Sequence, residues 1–278
     1  MERIRFKKSL VNTWLLFLYT KHFFPYVCAM QYYEYALIIG VGILAGFINV
    51  VAGGGSLISM PILIFLGLPP GVANASNRVA IFFQNVFAVA GFRSKGVSPL
   101  PYGTYLSLAA IPGAIIGALV STKLEDALFN KIIAIIMIAV IFVTVLSPKI
   151  SSNREERMGF KHQLIGTIVF FFVGMYGGFI QAGIGFIIIA SLVNINHLSL
   201  VKTNAIKVFV ALIYTAAALG VFIWKGMINW EYGLSLAVGN ATGAWVASRW
   251  SVKAGDKWIK RFLVVAVLGL AIKLWFYS

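Results

Sequence analysis

"GFINVVAGGGSLISMP", Gly46 to Pro61, sets three consecutive glycines and an asparagine inside one of the most apolar regions of the chain. Glycine in a helix interior costs about 1 kcal/mol relative to alanine. An amide buried without a hydrogen-bond partner costs more. A membrane segment that breaks its own helix must therefore gain something at the break.

Composition sets the surroundings of that stretch. The chain has 278 residues, 60% hydrophobic and 11% charged, with a mean hydropathy of +0.90. A water-soluble domain of this size needs a more charged surface. Apolar runs recur along the whole length, which predicts an all-α polytopic membrane protein. The net charge of +15 is expected of Lys and Arg gathered in cytoplasmic loops, and no aromatic-basic motif points to nucleic acid. One cysteine, Cys28, excludes an internal disulfide framework and a cysteine-built metal site.

Working outward, the opening stretch has an echo. Gly46-Phe-Ile recurs at Gly178, 132 residues on, and Ser76–Asn77 is answered by Thr203–Asn204, 127 on. Tyr102–Gly103 recurs at Tyr232–Gly233, Pro112-Gly-Ala at Thr242-Gly-Ala, and Asp126 and Lys131 at Asp256 and Arg261, all 130 on. Such ordered matches predict an internal repeat. The expected division is an N-terminal extension (1–34), a first repeat (35–147), a cytoplasmic linker (148–162) and a second repeat (163–278). Each repeat carries five apolar segments: 36–52, 57–68, 72–91, 102–121 and 127–147, then 163–180, 184–196, 203–224, 231–248 and 258–277. The second segment of each is too short for a comfortable crossing.

Loop charge orients the repeats. Arg93 and Lys95 in one loop, and Lys149, Arg154, Arg157 and Lys161 in the linker, place both inside. An odd number of crossings per repeat then puts Arg249, Lys253, Lys257, Lys260 and Arg261 inside. It puts the counterpart loop, Lys123 with Glu125 and Asp126, outside. The repeats are thus expected to be inverted, as in many secondary transporters. The first two segments of each are read as broken or re-entrant glycine-rich helices meeting near the midplane. Non-helical backbone at that depth is tolerated where it lines a cavity, and helix N-termini there present free N–H groups and a positive dipole end. Gly53, Gly54, Gly55 and Ser56 open the second segment; Gln181, Gly183 and Gly185 surround the equivalent opening. Together with Asn49 they form an expected anion site. The alternative is that the glycines only let helices pack closely.

The third segments begin "NASNR" and "VKTNAIK". Asn74, Ser76 and Thr203 are candidate N-caps, and Asn77 and Asn204 candidate cavity residues. Arg78 and Lys207 are intramembrane cations, functional candidates by default, or else snorkel to an interface. Lys202 is expected at an interface. Gln84 and Asn85 follow Arg78 by about two turns and are expected on the same path. Asp and Glu are confined to termini, loops and segment edges, which leaves cation sites and carboxylate proton relays little to work with. No metal site, cofactor or nucleophile-base constellation is expected.

"GILAGFINVVAGGGSLISMPILIFLGLPPGVANASN" and "GFIQAGIGF…LSLVKTNAIK" resemble the paired signatures of the TauE/SafE family of sulfite exporters and related anion permeases. The resemblance covers about residues 35–277. It implies transport of a sulfur-containing anion (sulfite, a sulfonate or sulfoacetate) across a bacterial inner membrane. The family's usual Thr-Asn is here Ser76–Asn77 followed by Arg78, a departure that bears on substrate choice. The expected substrate-binding set is Asn49, Gly53, Gly54, Gly55, Ser56, Asn77, Arg78, Gln181, Gly183, Gly185, Thr203, Asn204 and Lys207. The expected function is a secondary carrier, acting as an exporter; the alternatives are a passive anion channel, or a sensor or membrane enzyme. The expected partners are the anion and the lipid bilayer, with no nucleic acid and no oligomeric state implied. Residues 1–29 have a basic start and a broken apolar run. They are read as an extra helix, as an uncleaved signal-like segment, or as sequence upstream of a start at Met30.

Overall fold

The computed structural model describes residues 32–132, 135 and 156–277. Readings of residues 1–29, of the segment beyond 135 and of the linker before 156 lie outside the described residues. The described chain is helical throughout: α1 (Tyr32–Val51), α2 (Ser56–Phe65), α3 (Pro70–Arg93), α4 (Tyr102–Ser121), α5 (Phe160–Phe179), α6 (Ile184–Asn196), α7 (Leu200–Trp224) and α8 (Trp230–Tyr277). Residues 126–132 begin a further helix. Helices α1, α4, α5 and α7 are long and apolar enough to cross a bilayer. This is a multi-pass membrane protein.

Long helices alternate with short ones in the same order on both sides of the linker. The 10 residues of α2 extend about 15 Å and the 13 of α6 about 20 Å, both short of a hydrocarbon core about 30 Å thick. Left-handed backbone recurs at matching places: Gly53 and Gln181, Gly67 and His197, Gly96 and Gly226. In α8 the helical path is interrupted at Gly255 (φ 71°, ψ 178°), between the two apolar segments expected there.

Several helix starts fall earlier than the apolar runs suggest. α3 starts at Pro70 behind Pro69, where proline's fixed φ and missing N–H suit a first turn. α7 is capped by Ser199, whose hydroxyl accepts from the Lys202 N–H at 3.2 Å. The Asp256 carboxylate adds bonds from the N–H groups of Leu200 (2.9 Å) and Val201 (3.1 Å), a charge suited to a helix N-terminus. Asn74, Ser76 and Thr203 are therefore not N-caps. They lie inside helices, and all three are buried. Lys202 is partly exposed and paired with Glu156 at 2.6 Å.

Packing crosses between the halves. α1 lies along α8, α4 along α5, and α3 contacts both α7 and α8. The α1–α8 and α4–α5 seams are narrow because glycines face backbone. A Cβ at Gly46 would stand 2.3 Å from the Asn240 carbonyl oxygen, and one at Gly178 2.0 Å from that of Ala114. Small residues that admit close backbone approach are how helices associate in lipid. These seams hold the broken helices in place.

Candidate functional site

Between Val51 and Ser56, and again between Phe179 and Ile184, the chain leaves helical geometry. Ala52 and Gly53 still donate to the Ile48 carbonyl, and Gln181 to that of Tyr176. The next helices then begin: Leu57 donates to Gly54 (3.1 Å), and Phe186 to Gly183 (3.1 Å). The two turns meet. A Cβ at Gly53 would lie 2.4 Å from the Gly185 Cα, and one at Gly185 2.2 Å from the Gly53 Cα. The Ser56 hydroxyl also points at the Gln181 carbonyl (3.4 Å).

A break leaves the last carbonyls of α1 and α5 without the next turn's donors. The partners come from the opposite half. Lys207 of α7 donates to the carbonyls of Asn49 (3.0 Å) and Val50 (2.8 Å), and Asn204 donates to Val51 (3.1 Å). Arg78 of α3 donates to Gly177 (2.7 Å) and Gly178 (2.7 Å), and Asn74 to Phe179 (2.9 Å). Each half thus supplies one cation and one asparagine to close the broken helix of the other. A positive charge suits a helix C-terminus electrostatically. Arg78 is 0% exposed and Lys207 3%, so neither snorkels.

These contacts revise one pairing. Ser76–Asn77 matches Thr203–Asn204 as a dipeptide, but the residue that does in α3 what Asn204 does in α7 is Asn74. Asn77 instead accepts from the Ser59 hydroxyl at 2.8 Å. The Ser76 hydroxyl accepts from the Asn229 N–H.

Beside the junction lies a cavity of about 20 Å³, room for about one water. Asn49, Ser56, Gln181, Gly185 and Lys207 of the expected set line it, as do Gln84 and Asn85. Gly53 abuts Gly185 directly, and Gly55 packs on α1, where its Cβ would meet the Ala45 carbonyl at 2.0 Å. Gly54, Gly183, Asn77, Thr203, Asn204 and Arg78 are not among the lining residues. Arg78 is turned to the α5 terminus, with the Phe222 ring 4.9 Å from its guanidinium carbon.

The lining has a definite chemistry. It includes one cation, four side-chain amides, the Tyr214 phenol and an apolar wall of isoleucines, with no carboxylate. The Lys207 ammonium donates a third bond to Asn204 Oδ1 (2.8 Å), so its three protons are taken. Gln181 is a hub: its amide donates to Thr215 (3.0 Å) and Tyr214 (3.3 Å) and accepts from Arg78 (3.2 Å). Asn49 and Asn240 both donate to the Gln84 carbonyl oxygen, at 3.2 and 3.3 Å. The Asn85 amide nitrogen is buried without a partner. Sequence reasoning missed Tyr214 and Asn240. Tyr214 stands 129 residues after Asn85, the same spacing as Lys207 after Arg78, and that offset was the available signal. Among the described residues no cluster of His, Cys, Asp or Glu could hold a metal ion.

Comparison with known proteins bears on this arrangement. The family described as "Sulfite exporter TauE/SafE" matches residues 38–274. A probable membrane transporter protein, ORF9, of a Sinorhizobium species is 27% identical over 250 residues, covering 88% of this chain and 94% of that protein. A probable membrane transporter protein of Haemophilus influenzae is 26% identical over 248 residues, covering 87% and 96%. The probable membrane transporter protein YfcA of Escherichia coli is 29% identical over 241 residues, covering 86% and 88%. No solved structure matches the chain.

Proposed function

The chain belongs to the TauE/SafE sulfite exporter family, and from that premise we propose that it is a secondary carrier for a small sulfur-containing oxyanion, exporting it across the bacterial inner membrane. The two halves are inverted repeats, and the broken helices form the substrate site at their junction. What carries this reading is the cavity lining: Lys207, a set of amides and no carboxylate, beside the N-termini of α2 and α6. Helix N-termini, amides and one cation are the donors an oxyanion needs.

The reciprocal closure of α1 by α7 and of α5 by α3 supports a two-fold relation between the halves. Arg78 and Lys207 then hold equivalent places but do different work. Arg78 is a fixed clamp on α5. Lys207 borders the cavity and supplies its positive potential, while the unpartnered Asn85 amide offers N–H donors. The cavity as it stands holds no more than about one water, so passage requires the Gly53–Gly185 contact to part. That motion exposes the site to one side at a time, which distinguishes a carrier from a channel.

Radiolabelled flux from proteoliposomes is the test. Saturable exit is expected for at least one of sulfite, thiosulfate, sulfoacetate and sulfate. Protein-dependent exit of none of the four would refute the carrier reading.

A further inference from the structure

A second, larger hollow lies along the α3–α8 seam. It has a volume of about 600 Å³ and is lined by Phe83 and Phe87 of α3 with Leu234, Val238, Thr242 and Trp245 of α8. The groove opens away from the protein: Phe87 is 44% exposed and Val238 58%. On α8 it follows the helix from Leu234 to Trp245, about 16 Å at the helical rise.

One end of this apolar groove is cationic. Arg249 follows Trp245 by one turn, and its guanidinium carbon stands 5.0 Å from the Trp245 ring centroid. α3 and α8 run in the same direction, because Gly233 faces Ser76 and Val79 while Gly91 faces Ser248. Arg93, exposed in the last turn of α3, therefore lies at the same end of the seam. No carboxylate pairs with Arg249 among the described residues. Nearby Asp256 is committed to the N–H groups of Leu200 and Val201.

We propose that the groove is a binding site for an anionic phospholipid. One acyl chain lies along Phe83, Phe87 and Val238, and the headgroup phosphate meets Arg249. An occupant must be apolar over the length of the groove and negative at the Trp245 end, which describes this amphiphile. Guanidinium groups bind phosphate oxygens through paired N–H donors. Tryptophan marks the depth at which headgroups begin. The proposal does not depend on which anion the chain carries.

The test is native mass spectrometry of the purified full chain, titrated with phosphatidylglycerol and, separately, phosphatidylcholine of the same acyl chains. The wild type should bind phosphatidylglycerol about tenfold more tightly, because the choline ammonium of the other lipid offsets the phosphate charge that Arg249 meets. Arg249→Gln should remove that preference. Thr242→Trp, at an exposed position in the groove, should weaken both lipids. Equal affinities in the wild type, or a preference that survives Arg249→Gln, would overturn the headgroup assignment. A homodimer dissolved by Thr242→Trp, with lipid binding unchanged, would assign the groove to a second copy of the chain instead.

Discussion

Gly53 and Gly185 bring two backbones together where any side chain would hold them apart. Gly53 also takes a φ of 90°, which disfavours other residues on its own account. Gly185 does not, so its substitution isolates the contact. Gly185→Ala, with its Cβ 2.2 Å from the Gly53 Cα, should force the turns apart and reduce flux at least tenfold, while Gly40→Ala, with open space at its Cβ, should leave flux unchanged and slightly favour the helix. Equal flux in both variants would show that the junction tolerates separation. The place of this junction was legible in the sequence, because glycines beside a side-chain amide recur at matching places in two apolar runs. The role of Asn74 was not. A dipeptide match cannot say which side chain reaches across to a carbonyl in the other half, and that reach selects Asn74 over Asn77.

At the scale of elements, α3 and α7 each carry a polar face into the protein interior and find its partners at the broken end of a helix from the other half. The sequence shows Arg78 and Lys207 as costly, but not what they bind, since helix-terminal carbonyls leave no mark in residue type. It also places the start of α3 too late, because "NASNR" reads as a cap or loop until its polar groups are seen to be partnered. The fork of Arg78 spans the Gly177 and Gly178 carbonyls, which a single ammonium does not reproduce. Arg78→Lys should therefore lower stability by about 1.5–3 kcal/mol, the worth of one hydrogen bond to a charged group, read as a lower unfolding midpoint in detergent. Transport by the folded fraction should persist. An unchanged midpoint would contradict the clamp.

For the whole molecule, the proposed inversion sets Lys95 and Lys225, in the loops after α3 and α7, on opposite faces of the membrane. A cysteine at each, in a Cys28→Ser background, should react with an impermeant maleimide from different sides. Labelling of both from one side would contradict the inversion. The reversal of loop charge between equivalent loops is the sequence argument for this proposal; the tightness of the closed junction was not legible there, since it depends on distances between residues more than a hundred positions apart. Export of a dianion needs no coupled ion, because an inside-negative potential of 100 mV favours exit by about 2.3 kcal/mol per charge. The most direct measurement is exit of a labelled transported anion from proteoliposomes, with the potential set by a potassium gradient and valinomycin at equal pH on both sides. Wild-type exit should accelerate as the interior becomes negative, and Lys207→Gln, which keeps a donor but removes the charge, should lower the rate at least tenfold. Exit indifferent to potential, or as fast in Lys207→Gln as in the wild type, would contradict an anion carrier built around the Lys207 cavity.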